Sequence, residues 1–284
     1  MLKNIIFTVT TGRAGQETLH NILQEYSLDC LSEFEAPNFK PRLPFFFGNI
    51  ERKIRRQFFE TDELLGRGKV LIAYAKGDYE YIEKVAKKRL KLILNKMKKE
   101  KIVNYFDISK FYIRGLYKGF NNIINSYSLV FLVRDPLLNM KSFHNRNKNF
   151  FLDNSSPIEE CNLLRIKLSD LSKKELYFWA WSEIFLRYRK LSQSKKVLKN
   201  IIFRTEDLNN TKKVENLLKY LGIKFKPIKK IKKINTNYSS GFLNTKVNRE
   251  DIILLEHFID KIPSKEIALI KELKSSLKKN QENN

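Results

Sequence analysis

Two runs restrict this chain more than anything else in it: NIIFTVT at Asn4–Thr10 and SLVFLV at Ser128–Val133. Both are apolar and β-branched almost without interruption. A strand with one wet face alternates apolar and polar residues, whereas a continuous run has both faces covered, as in a parallel sheet between layers of helix. NIIFR, ending at Arg204, reads as another buried strand, and CLSEFEAP and KIVNYF as shorter extended segments.

Between these runs the apolar spacing turns helical. A helix is expected from about Ala14 to Tyr26, with Leu19, Ile22 and Leu23 on one face. IERKIRRQFFETDELL reads as amphipathic. So does YEYIEKVAKKRLKLILNKMKK, through Ile82, Val85, Leu90, Ile93, Leu94 and Met97. Another helix is expected from about Ser109 to Ile124. Asp135 and Pro136 open the next, with proline at the first helical position. ELYFWAWSEIFLRYRKL is a long aromatic helix, and KKVENLLKYLG is a helix ended by Gly222. Residues 150–171 and 224–248 read as irregular, and two helices close the chain. Strand and helix in alternation predict an α/β fold, a central parallel sheet flanked by helices, in a single domain over residues 1–284.

In such sheets ligands bind outside the carboxyl ends of the strands. Three segments fall there: Thr10–Gly15, Glu33–Pro37 and Arg134–Pro136. The first, within TVTTGRAGQETL, is a strand turning through glycine into a helix, which aims backbone N–H groups and the positive helix end at one spot and so favours an anion. A nucleoside-triphosphate loop starting at Gly12 requires glycine at 17 and lysine at 18. The chain has Glu17 and Thr18, which argues against a kinase-like phosphotransferase. The dinucleotide pattern G-x-G-x-x-G is absent too. What remains is a short turn with Arg13 between Gly12 and Gly15.

The formal net charge is +24. Nucleic acid, an anionic surface, a small anionic ligand, or a basic bias spread over a solvated surface all account for such a balance. The aromatic residues cluster in apolar helices instead of interleaving with basic ones, which speaks against nucleic acid. Cys30 and Cys161 lie far apart, in neither a metal nor a disulfide pattern. His20, His144 and His257 are scattered, so no metal site is indicated. No run reaches the roughly 18 apolar residues of a membrane span. The N-terminus reads as a first strand and not a signal peptide, and a cytoplasmic location is expected.

The chain resembles the PAPS-dependent sulfotransferase family in four places. Thr11-Gly12-Arg13-Ala14-Gly15 and Leu19 are similar to the family's T-x-G-R-S-G-T-T-x-L loop, which cradles the 5′-phosphosulfate. Arg134 and Ser142, eight residues apart in SLVFLVRDPLLNMKSF, resemble the pair that grips the 3′-phosphate. YFDISKFYIRGL resembles the short strand carrying an acid and a serine before a helix. The order aromatic helix, strand, RTEDL, LLKYLG resembles the closing βα unit. The resemblance covers about residues 4–223 and implies a P-loop-like, nucleotide-binding three-layer fold. It implies sulfuryl transfer from 3′-phosphoadenosine 5′-phosphosulfate (PAPS), as co-substrate and without a metal, to a hydroxyl or amine of a glycan or small-molecule acceptor. The chain departs from the family where Ala14-Gly15-Gln16-Glu17 replaces Ser-Gly-Thr-Thr. A protein that kept the fold and binds nucleotide or nucleic acid without transfer is the alternative.

On this resemblance Thr11, Gly12, Arg13, Ala14, Gly15, Gln16, Arg134 and Ser142 line the nucleotide, and Arg13, Asp107 and Glu35 are the catalytic candidates. Each has a plainer reading. Arg13 is otherwise a turn arginine, and Arg134 and Ser142 an ion pair and a helix-surface hydroxyl. Asp107 is otherwise a helix cap, and Glu35 a solvated loop acid. Glu17 is expected to point out of the pocket, as an acid in a first helical turn. His20, Tyr177, Trp179, Trp181, Phe185 and Tyr188 read as packing. Lys229, Lys230, Lys232 and Lys233 are a solvated basic loop or a clamp on a 3′-phosphate.

Overall fold

The computed structural model describes residues 4–34, 47, 50, 61–144, 162–231 and 246–282. Five strands form one parallel sheet: β1 (Asn4–Val9), β2 (Cys30–Phe34), β3 (Asn104–Ile108), β4 (Tyr127–Val133) and β5 (Val197–Arg204), in the order β2-β3-β1-β4-β5. The register places Phe7 of β1 beside Asp107 of β3 and Leu129 of β4.

Two apolar clusters, one on each face, explain why the central runs are apolar throughout. Ile5, Phe7, Val9, Leu129 and Phe131 pack on one side. The helices there are α4 (Tyr79–Lys99), α5 (Leu116–Ile123) and α7 (Lys173–Ser192). Ile6, Phe106, Val130 and Leu132 pack on the other. That face is covered by α1 (Gln16–Tyr26) and α8 (Thr211–Leu221). The result is a three-layer α/β fold, as the alternation predicts. Gly222 ends α8 in a left-handed conformation, φ 78°.

Several details differ from the sequence reading. Among the described residues β5 is an edge strand, its residues alternate in exposure, and Leu198 and Ile202 face solvent. The apolar run NIIF marks a strand, but nothing in it says that alternate residues of β5 are exposed. The expected helix from Ser109 starts later, because the Ser109 hydroxyl takes the N–H of Phe111. A 3-10 turn at Tyr112–Arg114 then leads to α5. Helices α2 (Thr61–Leu64) and α3 (Lys69–Ala75) precede α4. Residues 51–60 of the expected amphipathic helix lie outside the described residues. Beyond α6 (Pro136–His144), segment 162–171 holds a short 3-10 turn at Leu168–Asp170. Three helices close the chain, not two: α9 (Arg249–Asp260), α10 (Ser264–Leu269) and α11 (Lys271–Glu282). Pro263 lies between α9 and α10, and Ile270 parts α10 from α11. Among the described residues, no helix is long and apolar enough to cross a membrane.

Candidate functional site

The chain leaves β1 toward the edge through β2, returns beside β1 as β3, and reappears on β1's other flank as β4. The connections therefore diverge at the carboxyl end of β1, the place where open α/β sheets form a crevice. Three turns meet there: Thr10–Gly15 after β1, Ser109–Arg114 after β3, and Arg134–Asp135 after β4.

The first turn curls through left-handed residues at Gly12 (φ 91°), Arg13 (φ 61°) and Gly15 (φ 85°). Left-handed backbone at arginine costs of order 1–3 kcal/mol and persists where surrounding contacts impose it. Those contacts come from three directions. Asn139 of α6 is fully buried, and its Nδ2 donates to the Gly12 carbonyl at 3.2 Å. Asn139 Oδ1 accepts from Thr11 Oγ1 at 3.1 Å and from the Tyr177 hydroxyl. Thr205, just past β5, donates its hydroxyl to the carbonyls of Ala14 (2.9 Å) and Val133 (3.1 Å). Gly15 packs so tightly there that a Cβ would lie 2.4 Å from Leu208 Cδ1.

Cationic side chains gather on the same loop. Arg134 Nη1 donates to the Arg13 carbonyl at 3.3 Å. Arg114, 6% exposed, donates through Nη2 to the Thr11 carbonyl at 3.2 Å. The Lys110 chain lies over Gly12, its Cδ 3.1 Å from where a Cβ would stand. Burial pushes the Tyr177 phenol well above its usual range, against the opposing fields of Arg114, Arg134 and Arg13. Tyr177 therefore stays a proton donor to Asn139, and three guanidinium groups act on one buried point. Burial lowers the Arg134 pKa, with Glu206 working against it, but a guanidinium keeps its charge at neutral pH.

Helix α1 starts at this loop with no side-chain cap on its first N–H groups. Gln16, 6% exposed, folds back so that its Oε1 lies 3.9 Å from the Gly12 Cβ position. Its Nε2 is buried without a hydrogen-bond partner among the described residues. A buried amide donor in that state is costly unless a ligand oxygen meets it. Uncapped helical N–H groups, an amide donor and converging guanidiniums are the chemistry that holds phosphate or sulfate.

No model of a known protein family matches the chain, and no curated protein matches it. Among solved structures, a sulfotransferase from Alicyclobacillus acidocaldarius is similar at 14% identity over 96% of each chain, with a TM-score of 0.43.

The structure brings Thr11, Gly12, Arg13, Ala14, Gly15, Gln16 and Arg134 together. Ser142 lies on α6 below Asn139 and is 4% exposed. Asp107 sits within β3, not at a helix start. Its Oδ2 meets Arg89 Nη2 at 2.7 Å, with both side chains buried. Glu35 lies outside the described residues, one position past the end of β2. Glu33, in β2, accepts from Lys96 and Tyr105. Glu17 is half-buried, and its field reaches His20 one turn along α1. His20 Nδ1 lies 3.0 Å from Ser32 Oγ, and burial lowers its pKa. Trp179 and Trp181 are buried, the latter donating to the Arg134 carbonyl at 3.2 Å. Lys229 and Lys230 are exposed, while Lys232 and Lys233 lie outside the described residues. A cleft of about 230 Å³ is lined by Thr18, Asn21, Ile22, Glu25 and Tyr26 of α1 and by Lys230 and Ile231, and the Tyr26 hydroxyl donates to the Lys230 carbonyl at 2.8 Å.

Sequence reasoning missed Lys110, Arg114, Asn139 and the loop contact of Tyr177. Asn139 and Tyr177 sit in runs that read as ordinary helix. Lys110 and Arg114 join the loop because β3 is β1's neighbour, which no local pattern reveals.

Proposed function

We propose that the chain is a sulfotransferase, taking the sulfuryl group of PAPS to a hydroxyl or amine of a glycan or small-molecule acceptor. The convergence of Arg13, Arg114 and Arg134 on one glycine-bearing turn at the start of α1 carries this reading, supported by the four motif resemblances. The Arg13 guanidinium and the first N–H groups of α1 hold the 5′-phosphate and meet the charge that builds on the bridging oxygen as its bond to sulfur breaks. Gln16 Nε2 supplies the donor that hydroxyls supply in the resembling loops. Arg134, with Ser142, takes the 3′-phosphate. Glu17 faces away from the anion. A carboxylate accepts the proton that the acceptor loses as its new bond to sulfur forms. We assign that task to Glu35, because Asp107 is engaged with Arg89 in the interior.

The test is transfer of labelled sulfate from PAPS to a panel of hydroxyl and amine acceptors. Wild-type protein should form labelled product and Arg13→Ala none. Nucleotide binding without transfer to any acceptor would move the non-catalytic alternative into first place.

A further inference from the structure

Resting on that reading of the cleft, we propose that the Gln16 amide binds the sulfuryl group of the donor, the end that is transferred, and leaves the 5′-phosphate to Arg13 and the backbone. Gln16 is the first residue of α1 and is 6% exposed. Its backbone follows the end of the loop that β5 fixes, where Thr205 donates to the Ala14 carbonyl at 2.9 Å and Gly15 packs on Leu208. Its side chain crosses to the other end. A Cβ on Gly12 would lie 3.1 Å from Lys110 Cδ and 3.9 Å from Gln16 Oε1. The amide therefore meets the turn after β3, over Gly12. A serine or threonine hydroxyl, held closer to the backbone, does not extend that far.

β3 and β4 lie on opposite flanks of β1. Arg134 follows β4, and its Nη1 reaches the Arg13 carbonyl from that flank. With the 3′-phosphate on Arg134, the ribose lies on the β4 flank, and the donor runs from it through the 5′-phosphate to the sulfuryl group. The Gln16 amide stands on the β3 flank, past Arg13, where that last group falls. Its Nε2 is buried without a hydrogen-bond partner among the described residues. Such a donor costs the free protein stability until an oxygen meets it. The last torsion of a glutamine is soft, so an oxygen arriving over Gly12 turns the amide and takes its N–H. A neutral donor also suits the group: a terminal phosphoryl carries more charge than a sulfuryl, and nucleoside-triphosphate loops meet it with lysine. The contact holds the sulfur in line for attack. No bond to Gln16 forms or breaks; the S–O bond to the 5′-phosphate breaks and leaves its electron pair on the phosphate oxygen.

The test compares PAPS with 3′-phosphoadenosine 5′-phosphate, which lacks the sulfuryl group. Each is titrated by calorimetry, without acceptor, into wild-type, Gln16→Met and Gln16→Glu protein, and each free protein is melted. Gln16→Met keeps the length and loses the donor. It should weaken PAPS roughly tenfold, the scale of one hydrogen bond to a charged group, and the bisphosphate by less than about twofold. Gln16→Glu sets a carboxylate against the sulfuryl oxygens and should weaken PAPS further. Free Gln16→Met protein should melt no lower than wild type, because the donor it lost had no partner. Equal losses for the two nucleotides put the amide on the 5′-phosphate and overturn the proposal. No loss for either overturns it too, as does a Gln16→Met protein that melts well below wild type. Failure of wild-type protein to bind either nucleotide strikes the reading of the cleft itself, and this inference with it.

Discussion

Asn139 Nδ2 donates to the carbonyl of Gly12 at 3.2 Å, across 127 positions of sequence. Its Oδ1 takes the Thr11 hydroxyl and the Tyr177 hydroxyl. One buried amide thus holds the loop from inside. Asn139→Leu removes one partner from the Gly12 carbonyl and from the Thr11 and Tyr177 hydroxyls, at about 1–3 kcal/mol for each group that stays buried and finds no other. The expected outcome is a lower urea midpoint together with weaker nucleotide binding, read by denaturation and calorimetry on the same preparation.

Gly15→Ala tests the loop's backbone. The position is left-handed, and a Cβ would strike Leu208 Cδ1. Strain and the clash together should cost roughly 1–3 kcal/mol. Shortening Leu208 to alanine in the same chain should recover part of the loss, because it removes the clash and leaves the strain. If the double variant is less stable than the sum of the two singles, this packing account is wrong.

Asp107 and Glu35 separate by substitution. Asp107→Asn strips the buried Arg89 guanidinium of its counter-charge, so the loss should appear as stability, about 3–5 kcal/mol. Glu35→Gln should abolish transfer with little change in melting temperature. A stable, inactive Asp107→Asn protein would give the proton-accepting role to Asp107 instead.

Asp251 ties α9 to α6 through Lys141 and to α7 through Lys174. Burial alone would raise its pKa, but hydrogen bonds from Lys141, the Asn248 backbone and Lys174 outweigh burial and hold it below the ordinary carboxylate range. A depressed folded pKa means stability that is present above the unfolded value of about 4 and is lost as pH falls through the folded one. Unfolding followed from neutral pH downward should show this loss. In Asp251→Asn the acid-side slope should be shallower, with lower stability at neutral pH.

The fold was legible because β1 and β4 are covered on both faces, and such strands leave no polar alternation to misread. The edge position of β5 was not, since NIIFR has the same composition wherever it lies in the sheet. Within the site, Arg13 announced itself through flanking glycines and Arg134 through its place at a strand end. Arg114 carried no such mark: its part depends on β3 lying against β1, a long-range pairing.

Calorimetric titration of 3′-phosphoadenosine 5′-phosphate, AMP and ATP into wild-type and Arg134→Ala protein tests the central claim most directly. The bisphosphate should bind more tightly than AMP or ATP. Arg134→Ala should cost it about 1.5–3 kcal/mol, the scale of a hydrogen bond to a charged group, while AMP, lacking the 3′-phosphate, loses far less. Equal losses for the bisphosphate and AMP, or ATP binding as tightly as the bisphosphate, would contradict the account.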